Sequence, residues 1–352
     1  MKPERKNPEP EQSALDLDEW RRMAQDIELE VGRAIIGQSR VLRLMTIALF
    51  ARGHVLLEGD VGVGKTTILR AFSHVIGGGF ERVEGTIDLM PADMIYHTYL
   101  DQDGKPRVEP GPVLRHGSDI AVFFFNEINR ARPQVHSLLL RLMAERTVTA
   151  FNKEHHFPNL QVFADRNRIE REETFELPAA ARDRFFMEIN VTTPSDRDVR
   201  RSLVFDKRFH DVDHLISQLQ ASIIDYSQLN AVANAIQANV TASDALERYV
   251  LDLWEAIRSP AASGILMDGI DTSRLVQAGA SPRGLSFLLR AARVSAWLDH
   301  RDAVLPDDIR DIFFETMAHR IFLEPVYELR RETLLRQLGD AVFAAVPTPS
   351  GA

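Results

Sequence analysis

The chain has 352 residues, 45% hydrophobic and 26% charged, with a net charge of −9 and no cysteine. These values exclude disulfide staples and thiolate metal sites, weigh against broad non-specific binding of nucleic acid, and suit one large domain plus a smaller one. No run of about 18 apolar residues is available to span a bilayer, and Met1–Pro8 has no apolar stretch after its charges, so the sequence predicts a cytoplasmic chain without a secretory signal.

Residues 1–15 are polar and rich in Pro and Glu and read as a disordered tail. An amphipathic helix follows through Trp20, Met23, Ile27 and Val31, broken at Ile35-Ile36-Gly37-Gln38, and a second helix runs through Val41, Leu42, Leu44 and Ala48. His54–Glu58 is a short apolar run read as a buried strand, and helical spacing resumes from Thr67 to Val75. Further strands are predicted at Ala121–Phe125, Leu160–Ala164 and Phe185–Val191, with a helix over Gln134–Glu145. Strands alternating with helices give an α/β domain with a mainly parallel sheet, assigned to residues 16–193. Beyond Thr192-Thr193-Pro194 the pattern is helical, over Leu215–Ile236, Ser243–Ile257, Pro282–His300 and Pro306–Ile321. A smaller all-helical domain is therefore assigned to residues 194–340, with 341–352 as a flexible tail.

Between the first strand and the helix after it lies Gly59-Asp60-Val61-Gly62-Val63-Gly64-Lys65-Thr66-Thr67. Glycines at 59, 62 and 64 let a backbone curl so that its N–H groups face phosphate oxygens, and the following helix presents its N-terminus to the same anion. Lys65 would neutralise the β- and γ-phosphates and Thr66 would offer a hydroxyl to Mg²⁺. The strand–loop–helix context separates this reading from a plain glycine turn. The second apolar strand ends at Asn126-Glu127, where nucleotide hydrolases place one group that holds the hydrated Mg²⁺ and a second that polarises the attacking water. Asn126 can accept from a metal-bound water but carries no charge, and Glu127 is available as the base.

Together these stretches resemble the MoxR family of AAA+ ATPases from about Ile35 to Leu323. Gly53–Gly59, Glu84-Gly85-Thr86, Asp88–Asp93, Pro110–Val113, Asn126–Ala131 and Ser281-Pro282-Arg283-Gly284 carry the likeness. The resemblance implies an AAA+ P-loop core with a helical lid, binding ATP and Mg²⁺. It implies an adenine-side role for Ile36, phosphate-loop roles for Val63 and Thr67, a sensor role for Asn167, an arginine finger at Arg184 and a lid sensor at Arg283. It also implies a ring, by analogy a hexamer, and a partner bearing a von Willebrand factor A domain. Within the family the chain is similar to the methanol-oxidising branch, linked to maturation of methanol dehydrogenase.

Two departures stand out. The family has Asp where Asn126 stands, and Ala-Thr-Gln-Asn-Pro where this chain has Ala164-Asp165-Arg166-Asn167-Arg168. Both suggest weaker Mg²⁺ binding and slow or partner-activated hydrolysis, which keeps a nucleotide-dependent scaffold as the alternative. Two further features are discounted. Glu154-His155-His156 reads as an exposed loop rather than a metal site, because adjacent positions do not share a face. Arg290, Arg293 and Arg301 beside Trp297 read as a solvated helix face rather than a nucleic-acid surface, which leaves a DNA-associated motor as a third reading.

Overall fold

The computed structural model describes residues 15–167 and 175–349. The expected disordered tail therefore falls almost wholly outside the described residues, as does Arg168.

Five parallel strands form the central sheet: β1 (Val55–Gly59), β2 (Gly79–Glu84), β3 (Ile120–Asn126), β4 (Gln161–Asn167) and β5 (Met187–Asn190), in the order β2-β3-β4-β1-β5. Every residue of β3 is buried, as its unbroken apolar run requires of a strand covered on both faces. The pleat sorts its side chains. Val122 and Phe124 join the core under α1 (Leu17–Ala34), α2 (Ser39–Phe50) and α3 (Lys65–Ile76). Phe123 and Phe125 join a second core with Val135, Leu139 and Leu142 of α4 (Pro133–Glu145). Asp16 opens α1 by accepting from the backbone N–H groups of Asp18 and Glu19. His54 knits the region together, with Nε2 3.0 Å from Met143 O and Nδ1 accepting from Val162 N at 2.9 Å. Burial pushes its pKa down to about 3, so it is a neutral tautomer fixed by those two bonds.

The first core does not stop at residue 193. Trp20 and Phe50 meet edge-on and Phe50 packs on Trp297 of the second region, with ring centroids 6.4 and 5.1 Å apart. That region contains α5 (Arg197–Phe205), α6 (Leu229–Asn239), α7 (Asp244–Arg258), α8 (Pro282–Leu298), α9 (Pro306–Met317) and α10 (Arg331–Ala345).

The structure departs from the sequence reading in several places. Strand β2 was not anticipated, because its charged residues mask a pattern in which only Glu81 and Val83 are buried. The helix expected over Leu215–Ile236 is broken into Val212–Ser217 and α6. Ser222 takes φ 55, and the backbone N–H groups of Ser222 and Ile223 bond to His74 O and Val75 O, meeting carbonyls that the end of α3 would leave unpaired. The second region is not all-helical, since Val276–Ala278 pairs antiparallel with Phe322–Leu323. The expected flexible tail at 341–352 is helical to Ala345, and Val342 is fully buried. Arg290 and Arg301 do not form a solvated face. Arg290 lies over the rings of Phe186 and Phe287, and Arg301 pairs with Asp308.

Two antiparallel hairpins extend from the core. Tyr96–Leu100 pairs with Pro106–Pro110 between β2 and β3, and Thr147–Ala150 pairs with Lys153–His156 after α4. Among the described residues no helix is long and apolar enough to cross a membrane.

Candidate nucleotide-binding site

Strand β1 ends at Gly59, the loop turns through Gly62 and Gly64, and α3 begins at Lys65. Gly62 and Gly64 take φ 82 and 89, where a side chain is strained, and nothing would lie within 4 Å of a Cβ at either. These two positions therefore need glycine for backbone conformation and leave the concave side open. Gly59 is different. A Cβ there would come within 2.3 Å of Val191 O, so its role is close packing of β1 against the end of β5.

The cavity under this loop has a volume of about 340 Å³. Gly62, Val63, Gly64, Lys65, Thr66, Thr67, Asn126, Glu127 and Asn167 line it, as does Asp165, which enters the sequence analysis only as part of a departure from the family pattern. The parallel register explains the meeting, since the carboxyl ends of β1, β3 and β4 lie side by side and open onto one crevice.

Lys65 is buried. Its Nζ donates to Gly59 O (2.7 Å), Asp60 O (3.2 Å) and Asn167 Oδ1 (2.7 Å), and Asp165 Oδ2 lies 3.6 Å away. Thr66 Oγ1 donates to Asn126 Oδ1 at 3.4 Å. Glu127 is held at both oxygens, by Asn167 Nδ2 (3.2 Å) and Arg130 Nη1 (2.9 Å). Its backbone takes φ 53, ψ 51, a left-handed conformation uncommon for a residue with a side chain. Asp165 Oδ1 accepts the Glu127 backbone N–H at 2.6 Å and so fixes that turn. Burial foremost pushes the Asp165 carboxyl up to about 6; the Glu127 and Glu84 charges add to this, while the Glu127 N–H and Lys65 oppose it.

The hydroxyl, amide oxygen and carboxylates here are hard oxygen donors, which suit Mg²⁺. Among the described residues no cluster of three or more His, Cys, Asp or Glu could hold a metal by itself. Thr66 would offer its hydroxyl to the ion and Asn126 would accept from a water bound to it, with phosphate and further water oxygens completing the shell.

Three predicted residues lie elsewhere. Ile36 lines a separate cavity with Ile35, Gly37 and Leu42. Arg184 donates to Ala180 O at 2.7 Å. Arg283, at the start of α8, pairs with Asp183 at 3.0 Å, and Ser281 Oγ donates to the same carboxylate at 2.9 Å. His156 lies 3.6 Å from Glu154 on the exposed hairpin.

Comparison with known proteins agrees with this geometry. Residues 54–187 match the family described as ATPase family associated with various cellular activities (AAA), and residues 270–338 match the AAA lid domain. The chain is 62% identical to Protein MoxR of Methylorubrum extorquens, over 95% of this chain and 97% of that one. It is 56% identical to Protein MoxR of Paracoccus denitrificans, over 95% and 99%. Chaperone MoxR1 of Mycobacterium tuberculosis is 35% identical over 84% of this chain and 74% of that one. A crystal structure described as an ATPase candidate from Cytophaga hutchinsonii superposes with a TM-score of 0.82 at 29% identity, covering 95% of this chain and 97% of that chain. The chain belongs to the MoxR family of AAA+ ATPases.

Proposed function

We propose that the chain is a Mg²⁺-dependent ATPase that works as a ring, by family analogy a hexamer, and spends ATP on remodelling or maturing another protein. The observation that carries the reading is the convergence of Lys65, Asn167 and Glu127 beneath the phosphate loop. Lys65 would exchange its backbone partners for phosphate oxygens. Asn167 would orient the attacking water, and Glu127 would take its proton. Bound Mg²⁺ would supply charge neutralisation between the phosphates. The name of one relative, Chaperone MoxR1, supports a chaperone role, while methanol dehydrogenase as client, through metal insertion or activation, rests on family resemblance. A von Willebrand factor A domain partner rests on family resemblance alone, and a cytoplasmic location is the setting in which ATP is at hand.

The test is steady-state ATP turnover together with equilibrium binding of a fluorescent ATP analogue. Lys65→Ala should abolish tight binding and turnover together; unchanged affinity would remove the site assignment. A second reading, a nucleotide-dependent scaffold with little hydrolysis, is favoured by the neutral Asn126 at the end of β3. Turnover that stays at background with and without the partner, while binding is retained, would select it.

A further inference from the structure

Strands β2 and β3 run parallel and in register at their carboxyl ends, where Glu84 lies opposite Asn126. The two side chains are in contact, with Asn126 Nδ2 donating to Glu84 Oε1. An amide can be held in either of two orientations, and this bond selects one. With its NH₂ group turned to Glu84, Asn126 directs its oxygen toward Thr66, whose hydroxyl donates to it. The chain Glu84–Asn126–Thr66 thus leads from a carboxylate at the end of β2 to the first turn of α3, and β3 itself contributes no charge to the metal side of the site.

We propose that Glu84 is a positioning residue that supplies, from the neighbouring strand, the negative charge that Asn126 lacks, and so sets the Mg²⁺ affinity of the nucleotide site. This rests on the reading of the cavity as a Mg²⁺-nucleotide site. A full charge acts over several ångströms where a neutral amide does not, and near a protein surface such a charge is worth on the order of tenfold or more in binding of a cation. Glu84 also pairs with Arg82 at 2.6 Å. Both side chains of that pair are about half exposed, and exposed pairs of this kind contribute little. The bond to Asn126 is the one that reaches the site.

The same geometry can be written with the roles exchanged. Gln at 84 and Asp at 126 would keep the hydrogen bond with its donor and acceptor reversed, and would keep one carboxylate in the pair. Asn126→Asp alone would set two carboxylates against each other, and Glu84→Gln alone would leave none.

The experiment is a Mg²⁺ titration of fluorescent ATP-analogue binding, alongside the affinity measured in EDTA, for wild type, Glu84→Gln and the double variant Glu84→Gln/Asn126→Asp. Glu84→Gln should raise the Mg²⁺ midpoint about tenfold without weakening metal-free binding, because the lost charge also repelled the triphosphate. The double variant should return the midpoint to within about threefold of wild type. An unchanged midpoint in Glu84→Gln would overturn this inference alone. So would equal losses with and without Mg²⁺, the mark of a merely structural residue, or a double variant no better than the single one. Wild-type binding indifferent to Mg²⁺ would overturn both this inference and the reading of the site beneath it.

Discussion

Asp165 shows how one side chain can serve chemistry at a cost to stability. It holds the Glu127 backbone in its left-handed turn, yet its carboxyl sits almost fully buried beside other carboxylates, with its pKa raised to about 6. A folded-state value above the unfolded one means that this group favours folding below pH 3.8, and that the benefit is lost as pH rises through about 6. The loss across that range is on the order of 3 kcal/mol. Asp165→Asn can still accept the Glu127 N–H but has no charge to bury. Its unfolding free energy relative to wild type should therefore climb by about that amount between pH 4 and pH 8, as read from urea midpoints. Parallel pH profiles for the two proteins would contradict the assignment. That Gly62, Gly64, Lys65, Thr66, Asn126 and Glu127 would line one crevice was legible in the sequence, because each sits in a short local pattern at the end of a buried strand, and Asn167 was added by family resemblance. Asp165 and Glu84 were not legible. Their roles depend on which strands lie side by side, and nothing in the local run of residues states that β2 borders β3.

At the scale of elements, the strands and helices with continuous apolar spacing were read correctly in kind, β3 and α4 most plainly. The misses have physical causes. Among the described residues, edge strand β2 pairs on one side only, and it carries charged residues that hide its alternation. The break after Ser217 arises from bonds to the end of α3, which no local spacing encodes. Helix α10 was not among the expected helices, and the residues from 341 onward were read as a flexible tail. In the fold Val342 is fully buried and Phe343 packs edge-on against Phe313, with ring centroids 5.0 Å apart. A chain ending at Asp340 distinguishes the two descriptions. Loss of a flexible tail would leave thermal stability unchanged. Loss of the buried last turn should cost about 2–4 kcal/mol, by analogy with large-to-small core substitutions, and lower the melting temperature by several degrees. An unaltered melting temperature would mean that the last turn contributes nothing to the core.

For the molecule as a whole, the phosphate loop, Asn126, Glu127 and Asn167 meet within one chain, whereas Arg184 and Arg283 do not join them. Arg283 and Ser281 hold Asp183, the residue before Arg184, so the start of α8 and the segment proposed to carry the arginine finger are tied together. Arg184 itself is the residue expected, by family resemblance, to reach a neighbouring subunit. An arginine finger is worth on the order of 10³ or more in rate, so Arg184→Ala should bind ATP through its own loop and lose nearly all turnover. Glu127→Gln should likewise bind and fail to hydrolyse. The most direct test of a ring ATPase with sites completed by neighbours is the ATP turnover of these two inactive variants mixed in one assembly, with mixed rings verified by native mass spectrometry. The account predicts partial recovery, because some intact Glu127 sites then face an intact Arg184 from the adjoining subunit. Turnover that stays at the level of the separate variants, in rings shown to be mixed, would contradict it.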